Sequence, residues 1–421
     1  MKLIEKTKKT AYRLLKKSEK YFKTDMIYLA KGGFWLSFGQ VLVSLIGLGV
    51  TIAFANLLPK ETYGTYKFAI YIISLLVLAG LPGINGALTQ AISRGYEGYY
   101  KRAVIQKIKF GLIGSIVALA ISAYYFLNDN NTLTLIFLMS ALFIPLLNSF
   151  NVWLSLLVGR RKFKAVSYRQ VFIKLFVSIV IIASIFFTKN IFILVLVFFV
   201  SNITAHLILH AKILIQNPPN DKDDKGVLKY GKELSGINII QQIANNIDNV
   251  LIFHFLGSVE VAVYSIAMGP IKQMKNPLNS FGNLLLPKLA EKSIADLKKT
   301  LFAKVLKTYI LIVPIVIAYI IIAPWFYNTF FPLYNESIAF SQVLSLSLLF
   351  LPNIIIIGSL LGSHKKTKQI YKTRLIYFFS KITLLLILTP VLGIWGVVYA
   401  LLAAEALLYV TYISVFKRIE A

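Results

Sequence analysis

Between residues 33 and 415, apolar runs of roughly 20 residues recur twelve times. A helix of about that length crosses some 30 Å of hydrocarbon, where only helices or closed barrels satisfy every backbone polar group. The runs fall near 33–57, 64–90, 103–127, 132–157, 168–187, 190–211, 234–256, 261–287, 302–323, 338–361, 371–389 and 392–415. With 57% of its residues hydrophobic and only 15% charged, the chain has too little polar surface for a water-soluble globule. The expected fold is all-α: a polytopic membrane protein with twelve transmembrane helices.

The few charges are not scattered. Of 45 Lys and Arg residues, 37 fall in the N-terminal segment, in alternate connections and at the C-terminus, and only Lys60 and Lys189 fall in the intervening connections. This asymmetry places both termini in the cytoplasm of a multi-pass protein of the inner (cytoplasmic) membrane and supports an even number of spans. The net charge of +28 is then explained by topology and by contact with anionic membrane lipids, so no nucleic-acid partner is invoked. Residues 1–32 carry ten basic residues and no cleavable apolar core, which is unlike a signal peptide. Leu3, Ile4, Leu14, Leu15, Tyr21 and Phe22 lie among these lysines, so the segment reads either as an interfacial helix or as a basic tail.

The chain has no cysteine, which excludes disulfides, thiolate metal sites and cysteine nucleophiles. His206 and His210 are four residues apart, but no carboxylate stands beside them. They read as polar residues near a helix end rather than metal ligands. No metal, catalytic residue or cofactor is expected.

The most polar stretch, Gln216 to Gly226, contains Pro218 and Pro219 and divides the spans six and six. The resulting organisation is a cytoplasmic basic segment 1–32, an N-terminal six-helix bundle 33–215, a cytoplasmic linker 216–232, a C-terminal six-helix bundle 233–416 and a tail 417–421. Leu58, Tyr66 and Ala69 are echoed by Leu256, Tyr264 and Ala267 at one constant offset. Because six is even, such repeats run parallel, and two facing bundles would leave a central cavity suited to alternating access.

Charges inside a bilayer are costly and usually face a cavity or a partner. Lys67, Arg169 and Lys174 lie near span ends, where snorkelling accounts for them. Lys272, Lys275 and Lys381 are closer to mid-span and point to a cavity, while Asp248 and Glu405 are the only clearly intramembrane acids. In span 8, Tyr264, Met268, Lys272, Lys275, Asn279 and Asn283 share one helix face, and Pro270 and Pro277 suggest a kink or break. In span 7, Asn238, Gln241, Asn245, Asp248 and Asn249 form a polar stripe widened by Gln242 and Asn246. That stripe is either helix–helix glue or a water-filled face whose amides bind sugar hydroxyls. Asp248 either pairs with a lysine or titrates as a coupling-ion site for H+ or Na+. Lys31 and Gln40 add polar groups on span 1, and Gly80 to Gly86 mark a kink in span 2. The candidate cavity set is therefore Lys31, Gln40, Asn238, Gln241, Gln242, Asn245, Asp248, Asn249, Tyr264, Lys272, Lys275, Asn279 and Lys381. Asn148, Asn151, Asn353 and Glu405 are weaker candidates.

Three stretches carry a family resemblance: Gly33-Phe-Trp-Leu-Ser-Phe-Gly-Gln40, Ala55-Asn-Leu-Leu-Pro-Lys-Glu-Thr-Tyr-Gly-Thr-Tyr66 and Gln90-Ala-Ile-Ser-Arg-Gly95. With Asp248, Leu256, Gly257 and Tyr264 around span 7, they resemble polysaccharide repeat-unit flippases, the Wzx-like branch of the multidrug/oligosaccharidyl-lipid/polysaccharide exporter superfamily. The resemblance implies a non-enzymatic transporter that moves an undecaprenyl-diphosphate-linked glycan from the inner to the outer leaflet. It also implies polysaccharide polymerase machinery as a partner and no ATP hydrolysis; the phosphate-binding pattern G-x-x-x-x-G-K-[ST] does not occur.

Two other classes fit the sequence less well. A cation-coupled multidrug exporter of the same fold would need cavity carboxylates, and the spans carry six basic residues against two acids. A membrane polymerase or glycosyltransferase would need an acidic pair, but the outer acids Glu61, Asp129, Glu260 and Glu336 sit singly in different connections.

Overall fold

The computed structural model describes the backbone of residues 26–290, 294–364 and 366–418, and the side chains of these except at 26–33, 237, 276–290, 294–305, 307, 311 and 367. The basic segment 1–25 lies outside the described residues. Among the described residues there are helices and turns and no strands. Among the described residues nine helices are long and apolar enough to cross a membrane, and one of them spans 51 residues. That one reverses at Gly393 (φ 59°, ψ −138°), a conformation only glycine takes readily, so it is two helices. Two more helices, Val227–Phe255 and Ser258–Ala290, are long enough to span, but their amides and lysines lower their mean hydropathy. Together these helices account for the twelve expected crossings.

In chain order they are α1 (Met26–Leu57), α2a (Lys60–Leu76) and α2b (Gly83–Ser93), α3 (Tyr100–Leu127), α4a (Asn131–Leu147) and α4b (Trp153–Gly159), α5 (Phe163–Phe187) and α6 (Ile191–Gln216). The second six are α7 (Val227–Phe255), α8 (Ser258–Ala290), α9 (Ile294–Phe330), α10a (Ser337–Ser345) and α10b (Leu351–Ser363), α11 (367–392) and α12 (394–418). Helix α7 starts at Val227, inside the segment expected to be linker.

The turns after α3, α5 and α11 follow local chemistry. The Asn130 side chain accepts from the Leu133 N–H at 3.0 Å, and Asn190 accepts from the Phe192 N–H at 2.9 Å, so each caps the helix that follows. At the α11–α12 turn, a Cβ on Gly396 would lie 2.0 Å from the Leu388 carbonyl oxygen, so only glycine allows the two helices to close there.

The kinks fall partly where the sequence suggests. Helix α2 breaks at Leu81 (φ 54°) and Pro82, within the Gly80–Gly86 stretch. The break exposes the first N–H groups of α2b, and the Gly83 N–H is satisfied across the molecule by the Ser235 hydroxyl of α7 at 2.9 Å. Helix α8 differs from expectation: it continues through Pro270 and Pro277 without interruption.

One apolar core runs mainly through α2 to α6, centred on residues such as Phe137, Trp153 and Phe199. A second runs through α8, α10, α11 and α12 around Tyr264, Leu348 and Val398. The two sets meet along α2. A Cβ on Gly64 of α2a would lie 1.7 Å from the Ser258 carbonyl at the start of α8, and one on Gly83 would lie 2.4 Å from the Ser235 nitrogen in α7. Between these close approaches the Phe68 and Phe253 rings stack, with centroids 3.7 Å apart.

At the end that carries the α1–α2a turn the two sets are also tied. Asn56 donates to the Phe330 carbonyl at 2.9 Å, and Lys60 pairs with Glu336 at 2.6 Å. At the opposite end, the connection after α6 is fastened to the first six helices. Arg94 pairs with Asp224 at 2.6 Å, Arg102 pairs with Asp223, and the Gly98 N–H donates to the Lys222 carbonyl at 2.8 Å. The expected linker is therefore a pinned strap rather than a free tether.

Candidate functional site

A cavity of about 480 Å³ lies among α1, α2a, α4, α5 and α6, with Gln273 of α8 reaching it from the second set of helices. Gln40 of the expected set lines it. Its cations are Lys67 and Lys174, the two lysines that position along the spans assigns to snorkelling. That expectation is corrected here: both side chains point inward and are half-buried. The Lys67 ammonium stands 5.4 Å from the centre of the Tyr63 ring. Lys174 reaches toward Gly47, where an added Cβ would meet its Cε at 3.7 Å, so the glycine leaves the lysine room. Gln170, Asn202, Asn151 and Tyr66 supply amide and phenol groups, and among the described residues no Asp or Glu lines the cavity.

Behind its wall is a buried lysine that charge counting places in a cytoplasmic connection. Helix α3 begins at Tyr100, and this carries Lys107 two turns inward to a site where it is 3% exposed. Its ammonium donates to the Asn85 and Asn151 side-chain oxygens at 3.1 and 3.0 Å, and Asn85 donates to Asn151 at 3.0 Å. Asn151 and Trp153 then face the cavity, and the Trp153 indole donates to Nδ1 of His206 at 3.1 Å. An indole N–H can only donate, so this ring nitrogen of His206 carries no proton. Sequence reasoning assigned no cavity role to Asn85, although it sits in the Gly80–Gly86 stretch flagged for its kink. His210 instead meets the Tyr100 hydroxyl at 3.0 Å.

The expected polar stripes of α7 and α8 separate into different environments. Asp248 and Lys381 are both nearly fully buried, 3.8 Å apart. Tyr264 donates a hydrogen bond to Asp248, Asn249 donates to it at 3.3 Å, and Lys381 also donates to the Ala244 carbonyl at 2.5 Å. This is a closed network joining α7, α8 and α11. Lys275 pairs with Glu405 of α12 at 2.6 Å. Lys272 lies at the contact with α2a, 5.7 Å from the Tyr71 ring. Gln241 and Asn245 line a second chamber of about 570 Å³ among α7, α10b, α11 and α12. Asn238 and Gln242 are exposed and line neither space. The side chains of Lys31 and Asn279 lie outside the described residues. Among the described residues, no three His, Asp or Glu side chains gather as metal ligands would.

Outside the membrane, Glu97 makes a two-point ion pair with Arg160, at 2.7 and 2.6 Å, and accepts from the Asn220 N–H at 2.8 Å. Burial raises the Glu97 pKa, but these hydrogen bonds and the adjacent guanidinium outweigh it and hold the carboxyl below the usual carboxylate range.

A polysaccharide biosynthesis protein family matches residues 29–293. The chain belongs to that family. No curated protein matches its sequence. Among solved structures, a lipid II flippase MurJ in an inward closed conformation is similar over 91% of this chain and 88% of that one, with a TM-score of 0.69 at 15% identity. An inward-facing multidrug resistance MATE family transporter of the MOP superfamily is similar over 90% of this chain and 96% of its own, with a TM-score of 0.60 at 13% identity. A MOP superfamily transporter from Pyrococcus furiosus, described as having a binding pocket of reverse polarity, gives a TM-score of 0.61 at 13% identity over 93% and 96%. These likenesses show that the chain shares the fold of those proteins. This polysaccharide biosynthesis protein is a polytopic all-α membrane protein with a transporter fold.

Proposed function

We propose that the protein flips undecaprenyl-diphosphate-linked oligosaccharide repeat units from the inner to the outer leaflet of the cytoplasmic membrane, for surface polysaccharide biosynthesis. The observation that carries this reading is the cavity with Lys67 and Lys174 on its walls and no carboxylate. Two ammonium groups in a partly dehydrated space attract a diphosphate strongly, since the local dielectric is far below that of water. The amides and aromatic rings beside them suit a glycan, which presents both hydroxyls and apolar ring faces. MurJ, with a similar fold, is a lipid II flippase, which supports a lipid-linked substrate here.

In this reading residues 33–215 and 233–416 act as two rocking bundles joined by 216–232, with both termini in the cytoplasm. The headgroup enters the basic cavity while the polyprenyl tail stays in lipid, and separation of the outer ties Asn56–Phe330 and Lys60–Glu336 releases it outward. A cation-coupled multidrug exporter is disfavoured because both intramembrane acids already face lysines, Asp248 with Lys381 and Glu405 with Lys275. If an ion (H+ or Na+) drives the cycle, it must compete with one of those lysines.

The test is the sidedness of the lipid-linked repeat unit in a deletion strain. Accumulation facing the cytoplasm, with loss of surface polysaccharide and reversal by the wild-type gene, is expected. Unchanged lipid intermediates and intact surface glycan would overturn the reading.

A further inference from the structure

The second chamber lies away from the Lys67–Lys174 cavity and carries its own cation. Arg374 of α11 lines it together with Gln241, Asn245, Tyr377 and Tyr412. No Asp or Glu lines the chamber, and among the described residues Arg374 makes no ion pair. Arg374 and Ile370 also line a groove of about 1020 Å³ on α11, so the two spaces share a wall. The groove has a fixed order along the helix. Lys368 and Lys372 stand at its start, and Leu375, Ile376 and Phe379 follow. Phe379 is 61% exposed and Ile376 39% exposed, so this face looks out of the bundle. The opposite face carries Tyr377 and Lys381, directed toward the chamber and α7.

We infer that this paired chamber and groove is a binding site for an anionic phospholipid of the cytoplasmic leaflet. The start of α11 follows one of the Lys/Arg-rich connections, so the groove's basic end lies at the inner interface and its apolar end in hydrocarbon. A diacyl phospholipid has the same order, with a phosphate at the interface and chains directly below it. Its phosphate sits among Arg374, Lys368 and Lys372, its acyl chains lie along Leu375, Ile376 and Phe379, and its polar head reaches the amides of Gln241 and Asn245. The groove itself offers a glycan little, since among the described residues Tyr371 is its one uncharged polar side chain. Guanidinium and ammonium groups at the inner surface are attracted to anionic lipid, which favours phosphatidylglycerol over zwitterionic phosphatidylcholine.

The test uses purified full-length protein and native mass spectrometry, with phosphatidylglycerol, phosphatidylcholine, undecaprenyl diphosphate and inorganic phosphate as probes. Wild type is expected to retain phosphatidylglycerol about tenfold better than phosphatidylcholine, and Arg374→Gln with Lys368→Gln and Lys372→Gln to lose about that factor. Lys368→Gln/Lys372→Gln alone, on the exposed face, should lose part of it with an unchanged melting temperature. Arg374→Lys should keep most of it. The Lys67→Gln/Lys174→Gln variant should retain phosphatidylglycerol as wild type does, whether or not it transports. Equal retention of the two phospholipids, full retention by the triple variant, or displacement by millimolar inorganic phosphate would overturn the inference. Preferential displacement by undecaprenyl diphosphate would overturn it too, by making the groove a carrier site.

Discussion

Lys381 of α11 stands 3.8 Å from Asp248 of α7, and each is nearly excluded from solvent. The pair is not isolated, because Tyr264, Asn249 and the Ala244 carbonyl complete its hydrogen bonding. Burying two charges is repaid only when geometry and hydrogen bonds are good, and stripping away one partner leaves the other uncompensated. Lys381→Met or Asp248→Leu alone should therefore cost about 3–5 kcal/mol, whereas the double replacement should cost far less. Melting temperatures of the detergent-solubilised singles and double would show this, and strictly additive losses would refute a coupled pair.

Among the described residues, Lys67 and Lys174 are the cations of the cavity among α1, α2a, α4, α5 and α6. Replacing both with Gln keeps polarity and approximate size but removes the charge that a diphosphate needs. Complementation of surface polysaccharide in a deletion strain should fall at least about tenfold at normal expression, since each charge-assisted hydrogen bond is worth about 1.5–3 kcal/mol. The Lys67→Arg/Lys174→Arg variant should retain partial function. Full function of the Gln variant would mean that phosphate is held elsewhere.

Gly64 faces the Ser258 carbonyl so closely that an added Cβ would lie 1.7 Å from the oxygen. Even Gly64→Ala must push α2a off α8. An overpacking cost of about 1–3 kcal/mol is expected, with Gly64→Val worse. Thermal unfolding would measure it, and a wild-type melting temperature in Gly64→Val would be incompatible with this packing. Gly49, beside which an added Cβ meets nothing within 4 Å, is the matched control.

The strap after α6 is held through Glu97, whose carboxyl titrates below its ordinary value of 4.5 because Arg160 and the Asn220 N–H stabilise the anion. A depressed folded-state pKa contributes stability that is fully present above the unfolded value and is lost as pH falls through the folded one. The strap should accordingly hold from neutral pH down to that region and loosen only below it. Hydrogen exchange at residues 217–226 should be slow at pH 7 and faster, relative to intrinsic rates, near pH 3. Glu97→Gln should be fast at both, and no difference between variant and wild type would remove Glu97 as the anchor.

Much of the fold was legible in the sequence. The length of the apolar runs and the alternation of basic connections are local properties, and both report on the bilayer rather than on packing. The Pro82 break was also local, since the ring of Pro82 lacks an N–H and crowds the turn before it. Pro270 and Pro277 carry the same local signal, yet α8 runs through them. Neighbouring helices can take up the freed backbone groups of a membrane helix, so proline alone does not decide a break there.

The candidate site was less legible, and the lysines show why. Position along a span says how deep a residue lies, whereas the direction of its side chain depends on which helix packs beside it. Lys67 and Lys174 lie on helices whose rotation about their own axes turns them into the cavity, and Lys107 lies deeper because α3 starts at Tyr100. Lys272, Lys275 and Lys381 are as deep as expected, but Tyr71, Glu405 and Asp248 occupy them.

The sequence by itself determined that the chain is built of apolar helices long enough to cross a membrane and which family motifs it carries. These follow from the free energy of moving side chains between water and hydrocarbon, which each segment meets on its own. Only the tertiary structure decided which charges neutralise one another and which remain available to a substrate. That outcome depends on distances of a few ångströms between residues more than a hundred positions apart, such as Asp248 and Lys381 or Lys275 and Glu405, and no local pattern encodes it.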